Sequence, residues 1–141
     1  MFDSISKSIT KLFGGSKSER DVKEVMPYVQ QINEHFAEYK TLSNDELRNK
    51  TQEFRARIAE FIKEETDEIA SLKAQAEAED VDIDEQEKMF NEIDLIEKKV
   101  LKKIETVLLE ILPEAFAVVK ETARRFTENK ELVVTATQHD R

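Results

Sequence analysis

The chain has 141 residues, with 31 acidic and 22 basic side chains, a formal net charge of −9 and no cysteine. Without cysteine it can form neither a disulfide framework nor a thiolate zinc site, and two histidines are too few for an all-histidine zinc site. Two glycines are too few for a dinucleotide fingerprint or a phosphate-binding P-loop. With two prolines and 38% charged residues, the composition predicts a soluble, acidic, all-α protein without a transmembrane helix.

The first predicted element, residues 2–13, is an amphipathic helix, because its apolar side chains recur at spacings of three and four. Gly14 and Gly15 end it, and a short polar linker follows. This N-terminal amphipathic segment packs on the rest of the domain, or else it lies in a membrane interface with its lysines toward anionic headgroups. In the second interpretation the contact residues are Phe2, Ile5, Lys7, Ile9, Lys11, Leu12 and Phe13.

The pattern of residues 16–58 predicts a helical lead-in, that is, a helical stretch that precedes the hairpin. A second apolar stripe runs from Val22 to Phe36, and Pro27 within it predicts a kink or a fresh helix start. Ser43 and Glu46 have the spacing of a capping box, in which each side chain accepts a hydrogen bond from the other's backbone N–H. A helix is therefore expected to begin there.

Residues 59–111 predict an antiparallel helical hairpin. From Ile58 onward the apolar positions follow a seven-residue repeat with one charged defect at Glu65. Residues 80–84 predict the turn, and a second long helix is expected from about Glu85 to Leu112. Arms of this kind fold back on each other and project from a domain.

The last predicted elements are a helix that begins at Pro113 and a short extended segment near 132–135, too short to form a sheet alone. No closing element follows before Arg141, so we expect a fragment of something larger. The four predicted parts are 1–15, 16–58, 59–111 and 112–141.

The sequence offers little evidence for a metal site or a catalytic site. Asp80, Asp82 and Asp84 resemble the start of a calcium loop, but Glu85 and Asn91 stand where that loop needs glycine and glutamate. A solvated acidic turn is therefore preferred to a metal site. The other carboxylates lie on polar helix faces, where we expect no catalytic pair. We predict no catalytic residue, cofactor ligand or metal ligand.

The remaining polar candidates are histidines and arginines. His35 and His139 have no ligand set nearby and are expected to be surface or half-buried residues. The arginines are interleaved with acids, so pairing along helix surfaces is preferred to phosphate binding; they are Arg48, Arg55, Arg57, Arg124 and Arg125. Residues 64–98 hold fourteen acids against three bases, which argues against nucleic acid as a partner.

Two stretches resemble a known family. Residues 42–58 (LSNDELRNKTQEFRARI) and 112–125 (LPEAFAVVKETARR) are similar, in this order, to runs near the N-terminus of SecA, the bacterial preprotein translocase ATPase. The opening amphipathic helix with its glycine turn also matches. Lys120 stands where the family often has arginine, and residues 59–111 look like an insertion similar to that of longer Bacteroidetes forms.

The resemblance implies a parent protein that is a cytoplasmic motor with ATP and magnesium as cofactors. It would push unfolded secretory proteins through the membrane channel. The chain ends before the family's nucleotide motifs, so this segment is expected to hold no ATP site. The resemblance also implies that Phe2, Ile5, Lys7, Ile9, Lys11, Leu12 and Phe13 contact acidic phospholipid, the channel or the ribosome, at the inner face of the cytoplasmic membrane.

Two other interpretations stay open at the sequence level. One is a stand-alone coiled-coil adaptor with a membrane-seeking N-terminal helix. The other is a small metal-buffering helical protein, which depends only on the acidic turn. A homodimer is an alternative within the SecA interpretation, because the opening helix contributes to dimer formation in that family.

Overall fold

The structure, a computed structural model, describes residues 17–78 and 81–140. These residues form four α-helices and one 3-10 turn. Helix α1 is Lys17–Tyr39, α2 is Asn44–Phe61, α3 is Lys63–Ala76, α4 is Ile83–Glu128, and the 3-10 turn is Gln138–Asp140. Neither of the two ranges contains a β-strand. The predicted all-α fold with a helical hairpin is confirmed.

Helix α1 runs through Pro27 as one element, so of the two predicted alternatives, a kink or a fresh helix start, the fresh start is wrong. Proline removes one backbone N–H and with it one hydrogen bond to the residue four positions earlier. That residue is Lys23, which is exposed. Further along the helix, Ile32, Phe36 and Tyr39 pack into the core and hold the helical path. One missing hydrogen bond does not outweigh this packing.

The capping box at the start of α2 is confirmed. The Ser43 hydroxyl accepts a hydrogen bond from the Glu46 N–H at 3.2 Å, and the Glu46 carboxylate accepts one from the Ser43 N–H at 2.7 Å. Two backbone donors at the helix start are thereby satisfied.

Helices α2 and α3 are separated at Ile62, where the sequence predicts one unbroken helix. Ile62 has φ −106° and ψ 5°, outside the regular helix. Backbone hydrogen bonds nevertheless continue from Ile62 to Ile58 and from Thr66 to Ile62. The Thr66 hydroxyl donates to the Lys63 carbonyl at 2.9 Å. The division is therefore one irregular residue in an otherwise continuous run of backbone hydrogen bonds.

Helix α4 spans 46 residues, which is roughly 70 Å of helix. It passes through Pro113, so the prediction that one helix ends at Leu112 and another begins at Pro113 is wrong. The reason is packing on both sides of the proline. Val107, Ile111 and Ala117 are all buried, so the helix continues through contacts that the lost N–H does not affect.

The other three helices all pack against α4. Near its C-terminal end, Tyr39 of α1, Leu47 of α2 and Ala117 form a core cluster, with Ile32, Phe36, Leu42 and Val118 around it. Near its N-terminal end, α3 folds back on α4 and buries Ala76, Ile93 and Ile96. We call α3 with residues 83–105 the arm. We call α1, α2 and residues 106–140 the base.

Residues 129–137 follow α4 without regular secondary structure. The short extended segment predicted near 132–135 thus pairs with no strand in the described chain. Instead, the segment runs back to the start of α2, where Asn44 donates to the Val133 carbonyl at 2.9 Å.

Candidate functional site

The seven residues predicted to contact membrane or partners lie outside the described ranges. These are Phe2, Ile5, Lys7, Ile9, Lys11, Leu12 and Phe13. The described chain begins just after them, at the start of α1. There Val22, Val25 and Met26 are exposed, while Ile32 and Phe36 on the same stripe pack into the core. The first half of α1 therefore presents an exposed apolar surface.

The second half of α1 is fixed to α4 by polar as well as apolar contacts. Lys120 donates to the Asn33 side chain at 2.6 Å and lies 4.3 Å from the centre of the Phe36 ring. Lys40 lies 4.7 Å from the same ring. A cation over an aromatic face is attracted by the ring's quadrupole. These contacts give α1 a defined position in the base.

Arg125 of α4 joins three parts of the base, and we call its contacts the Arg125 junction. Its guanidinium donates to the Leu42 carbonyl at 2.6 Å, to the Tyr39 carbonyl at 3.2 Å and to the Asn44 side chain at 2.6 Å. The Tyr39 and Leu42 carbonyls belong to the end of α1 and the turn that follows, where helical N–H partners run out; the Tyr39 carbonyl also accepts from the Leu42 N–H at 3.2 Å. Arg125 therefore donates hydrogen bonds to the carbonyls of this turn and connects α1, α2 and α4.

Glu121 balances the charge of the junction from within α4. Its carboxylate accepts from Arg125 at 2.8 Å and from Arg124 at 2.7 and 2.8 Å, and its side chain is fully buried. The arginines, Arg124 first, lower the pKa of this carboxyl to about 2. The predicted pairing of arginines along one helix is confirmed for Arg124 and Arg125.

Tyr39 lies at the centre of a second network. Its hydroxyl donates to Glu114 at 3.2 Å, and Glu114 also forms an ion pair with Arg57 of α2. Burial first, and then the neighbouring Glu114 carboxylate, raises the pKa of Tyr39. The tyrosine therefore stays protonated and acts as a donor. It is a structural residue that connects α1, α2 and α4.

The C-terminal segment is held at the start of α2. The Thr135 backbone N–H donates to the Asp45 carboxylate at 2.9 Å, and the Thr135 hydroxyl does so at 2.7 Å. Arg48 forms an ion pair with Asp140 at 2.7 Å. Arg48, followed by Thr137, lowers the pKa of the Asp140 carboxyl to about 2. Sequence spacing could not identify these contacts, because the partners are about 90 positions apart.

In the arm, the charged defect at Glu65 is a buried ion pair. Glu65 is 1% exposed, and its two oxygens lie 3.0 Å from the Lys99 and 2.7 Å from the Lys103 ammonium groups of α4. These lysines, Lys103 first, lower the pKa of the Glu65 carboxyl to about 2. The Gln86 amide also donates to the Ala76 carbonyl at 2.8 Å near the turn. Together these pairs fix the antiparallel register of the arm.

The remaining sequence candidates show no site. Within residues 17–78 and 81–140, no group of acids and histidines could hold a metal ion, and Asp80 of the acidic turn lies outside those ranges. His35 is half-buried, 3.4 Å from Glu38, and His139 is exposed. In the same ranges, every buried side-chain nitrogen or oxygen has a hydrogen-bond partner. The geometry is that of a scaffold, with charges used to join helices.

Comparisons with known proteins decide the family. A profile described as the SecA DEAD-like domain matches residues 9–137. The chain belongs to the SecA family. Among similar curated proteins, the protein translocase subunit SecA of Phocaeicola vulgatus is 49% identical over 133 residues, and that of Parabacteroides distasonis is 48% identical over 133 residues. The subunit of Christiangramia forsetii is 48% identical over 134 residues.

The SecA relatives are much longer than this chain. The matches cover 94–95% of this chain but only 12% of each of these three relatives. The chain therefore spans about an eighth of the length of the SecA subunits it matches, and it corresponds to a segment of a translocase subunit. No solved structure matches the chain. In the described part of this SecA segment, no helix is long and apolar enough to cross a membrane.

Proposed function

We propose that the chain is the helical N-terminal segment of a SecA-type motor that uses ATP and magnesium to move secretory preproteins through a membrane channel. The segment has no nucleotide site of its own. It serves as a scaffold and as a contact surface for membrane and channel. The observation that carries the proposal is the family match over residues 9–137, combined with a base whose charged residues are used to join helices.

The scaffold role is supported by the Arg125 junction and by the contacts of the C-terminal segment. The junction joins the end of α1, the start of α2 and α4. The Asp45 and Arg48 contacts bring residues 135–140 to the same end of α2. A chain that continued past Arg141 would leave the base from a fixed place and in a fixed direction. That is what a lead-in to a larger domain requires.

The contact role is supported by the N-terminal amphipathic segment. Its apolar residues recur at helical spacing, and Lys7 and Lys11 would meet anionic headgroups. Each lysine near such a surface contributes about 1 kcal/mol. Binding is therefore reversible and weakened by salt. In this proposal the parent protein is cytoplasmic and attaches peripherally to the inner face of the cytoplasmic membrane.

Co-sedimentation with vesicles of phosphatidylglycerol and phosphatidylcholine tests the contact role. The intact chain is expected to bind, and a chain that begins at Ser16 is not. Lys7→Gln with Lys11→Gln is expected to bind roughly 30-fold more weakly at low salt, since two lysine contributions are lost. Lys7→Arg with Lys11→Arg is the matched control and should bind as the intact chain does. Equal binding by the intact and shortened chains would refute the contact role.

Sequencing the source gene past the codon for Arg141 tests the proposal that the chain is part of a longer ATP-driven motor. An in-frame continuation with a glycine-rich phosphate-binding loop is expected. A natural stop codon at that position would contradict the motor and favour the stand-alone adaptor. The two experiments are independent, so one role can fail without the other.

A further inference from the structure

Residues 132–136 form a segment whose two backbone edges have different partners. In an extended chain, the N–H and C=O groups of successive residues point to opposite sides. On one side, the Val133 carbonyl accepts from the Asn44 side chain at 2.9 Å. On the same side, the Thr135 N–H donates to the Asp45 carboxylate at 2.9 Å. Side chains at the start of α2 therefore take the place of a neighbouring strand along this edge.

The opposite edge carries the N–H and C=O groups of Leu132, Val134 and Ala136, and we call it the free edge. Within residues 17–78 and 81–140, none of these backbone groups has a hydrogen-bond partner. Val134 and Ala136 are also exposed. The free edge is therefore open to a further strand.

The sequence of the segment favours a strand and leaves its edge unprotected. Val133, Val134 and Thr135 are β-branched, and such residues favour paired, extended chain. Neither proline nor a charged residue lies between Glu131 and His139. Native proteins commonly block an exposed edge with those residue types, and an edge without them is a template for pairing.

The segment already has the side-chain arrangement of a strand. Leu132 and Val134 line a cavity of about 300 Å³ together with Val118 and Phe126 of α4. Val133, which lies between them in the sequence, is 75% exposed. Alternation between an inner and an outer face is the pattern of a β-strand. A second strand could therefore add to the free edge without a change in the path of this backbone.

We propose that the free edge receives an extended segment of the same polypeptide from beyond Arg141, which adds to it as a β-strand. This rests on the proposed function, in which the chain is a part of a longer protein; it spans 12% of a SecA relative. The described chain ends at Asp140, which Arg48 holds near the start of α2 at 2.7 Å. A strand tethered there has an effective concentration on the order of millimolar, which favours it over a second copy at micromolar concentration.

The expected strand is recognised by its backbone and by its alternation. Its N–H and C=O groups would pair with those of the free edge. Every second side chain would continue the inner face beside Leu132 and Val134, and we expect these side chains to be apolar. The strand should therefore be a run of about five residues in which apolar side chains recur at every second position.

Hydrogen exchange tests the pairing, measured by mass spectrometry at single amides in this chain and in the full-length protein. The Val134 amide is expected to exchange freely in this chain and about 100-fold more slowly in the full-length protein. The Thr135 amide donates to Asp45 and is the internal reference in both. An equally fast Val134 amide in the full-length protein overturns the proposal. Protection in this chain that increases with its concentration would indicate a second copy and also overturns it.

The two neighbouring valines supply matched variants. Val134→Pro removes an N–H from the free edge, whereas Val133→Pro removes one from the edge that faces α2. In the full-length protein, Val134→Pro is expected to raise exchange in the added strand roughly tenfold, and Val133→Pro is expected to leave it unchanged. Equal effects of the two variants would overturn the proposal. A stop codon after Arg141 would overturn both the motor and this proposal, whereas a full-length protein with an unprotected Val134 amide contradicts this proposal alone.

Discussion

The arm and the base each bury one carboxylate between two cations, but the cations come from different places. In the arm, Glu65 of α3 meets Lys99 and Lys103 of α4, so the ion pair crosses between helices. In the base, Glu121 meets Arg124 and Arg125 of its own helix, three and four positions on. The same charge pattern therefore fixes the register of two helices in the arm and orients a side chain in the base.

The choice of cation follows from this difference. A lysine ammonium is a point charge on a flexible stem, which suits a single partner across a helix pair. An arginine offers several donors in a fixed plane, and Arg125 uses them on Glu121, two backbone carbonyls and Asn44. Loss of Arg125 should thus affect several elements together, whereas loss of Glu65 should affect the arm alone.

The largest expected effect is on the base. Arg125→Ala leaves Glu121 buried with only Arg124 and removes the donor to the Leu42 carbonyl, so we expect a loss of about 3–5 kcal/mol in the free energy of unfolding. Arg124→Ala also removes a partner of the buried Glu121 carboxylate but keeps the Arg125 contacts to Leu42, Tyr39 and Asn44, so this control is expected to lose less than Arg125→Ala. Urea denaturation followed by circular dichroism measures both. Equal losses would contradict the central role of Arg125.

A smaller effect is expected in the arm. Glu65→Gln removes the charge that both lysines share, so the melting temperature is expected to fall by roughly 5 °C. The control is Glu60→Gln, an exposed acid of α2, which should leave the melting temperature unchanged. Hydrogen exchange localises the effect, and faster exchange is expected at Ile93 and Ile96 but not at Ala117. Uniform exchange across α4 would contradict an arm that loosens on its own.

Acid should reduce the difference in melting temperature between the native chain and the Glu65→Gln variant. The folded pKa of the Glu65 carboxyl, about 2, lies below the value of about 4.3 expected when unfolded. The pair therefore stabilises the fold fully above pH 4.3, and this contribution declines as the pH falls toward 2. Between pH 7 and pH 2.5, the difference between the two melting temperatures should stay constant down to about pH 4.5 and then narrow steadily. A constant gap across this range would mean that the substitution acts through packing.

Local sequence patterns predicted the local structure well. The capping box at Ser43, the antiparallel hairpin and the pairing of Arg124 and Arg125 all depend on residues close in sequence, and all are confirmed. The family match confirmed the resemblance carried by residues 42–58 and 112–125. The predicted contacts of Phe2 to Phe13 stay predictions, since those residues lie outside the described ranges.

Contacts over long sequence distances could not be predicted in this way. Glu65 looked like a defect in the heptad repeat, because its lysine partners lie 34 and 38 positions further on. Arg48 and Arg57, expected to pair along their own helix, instead meet Asp140 and Glu114. The helix end expected at Pro113 failed for a related reason, since the buried contacts that carry α4 onward come from other helices.

The smallest expected effect on overall stability is at the C-terminal segment. Arg48→Ala removes an exposed ion pair to Asp140, and exposed pairs contribute little to global unfolding, so the urea midpoint should not change measurably. The local effect is larger, because Asp140 also accepts from the Thr137 N–H at 2.7 Å, and Arg48 holds that carboxylate in place. We expect amide exchange at Thr137 to rise about tenfold. Thr135 should change less, since its N–H donates to Asp45. Asp45→Asn is the reciprocal variant and should increase exchange mainly at Thr135. If each substitution raised exchange equally at both threonines, the C-terminal segment would detach from α2 as one unit rather than through two separate contacts.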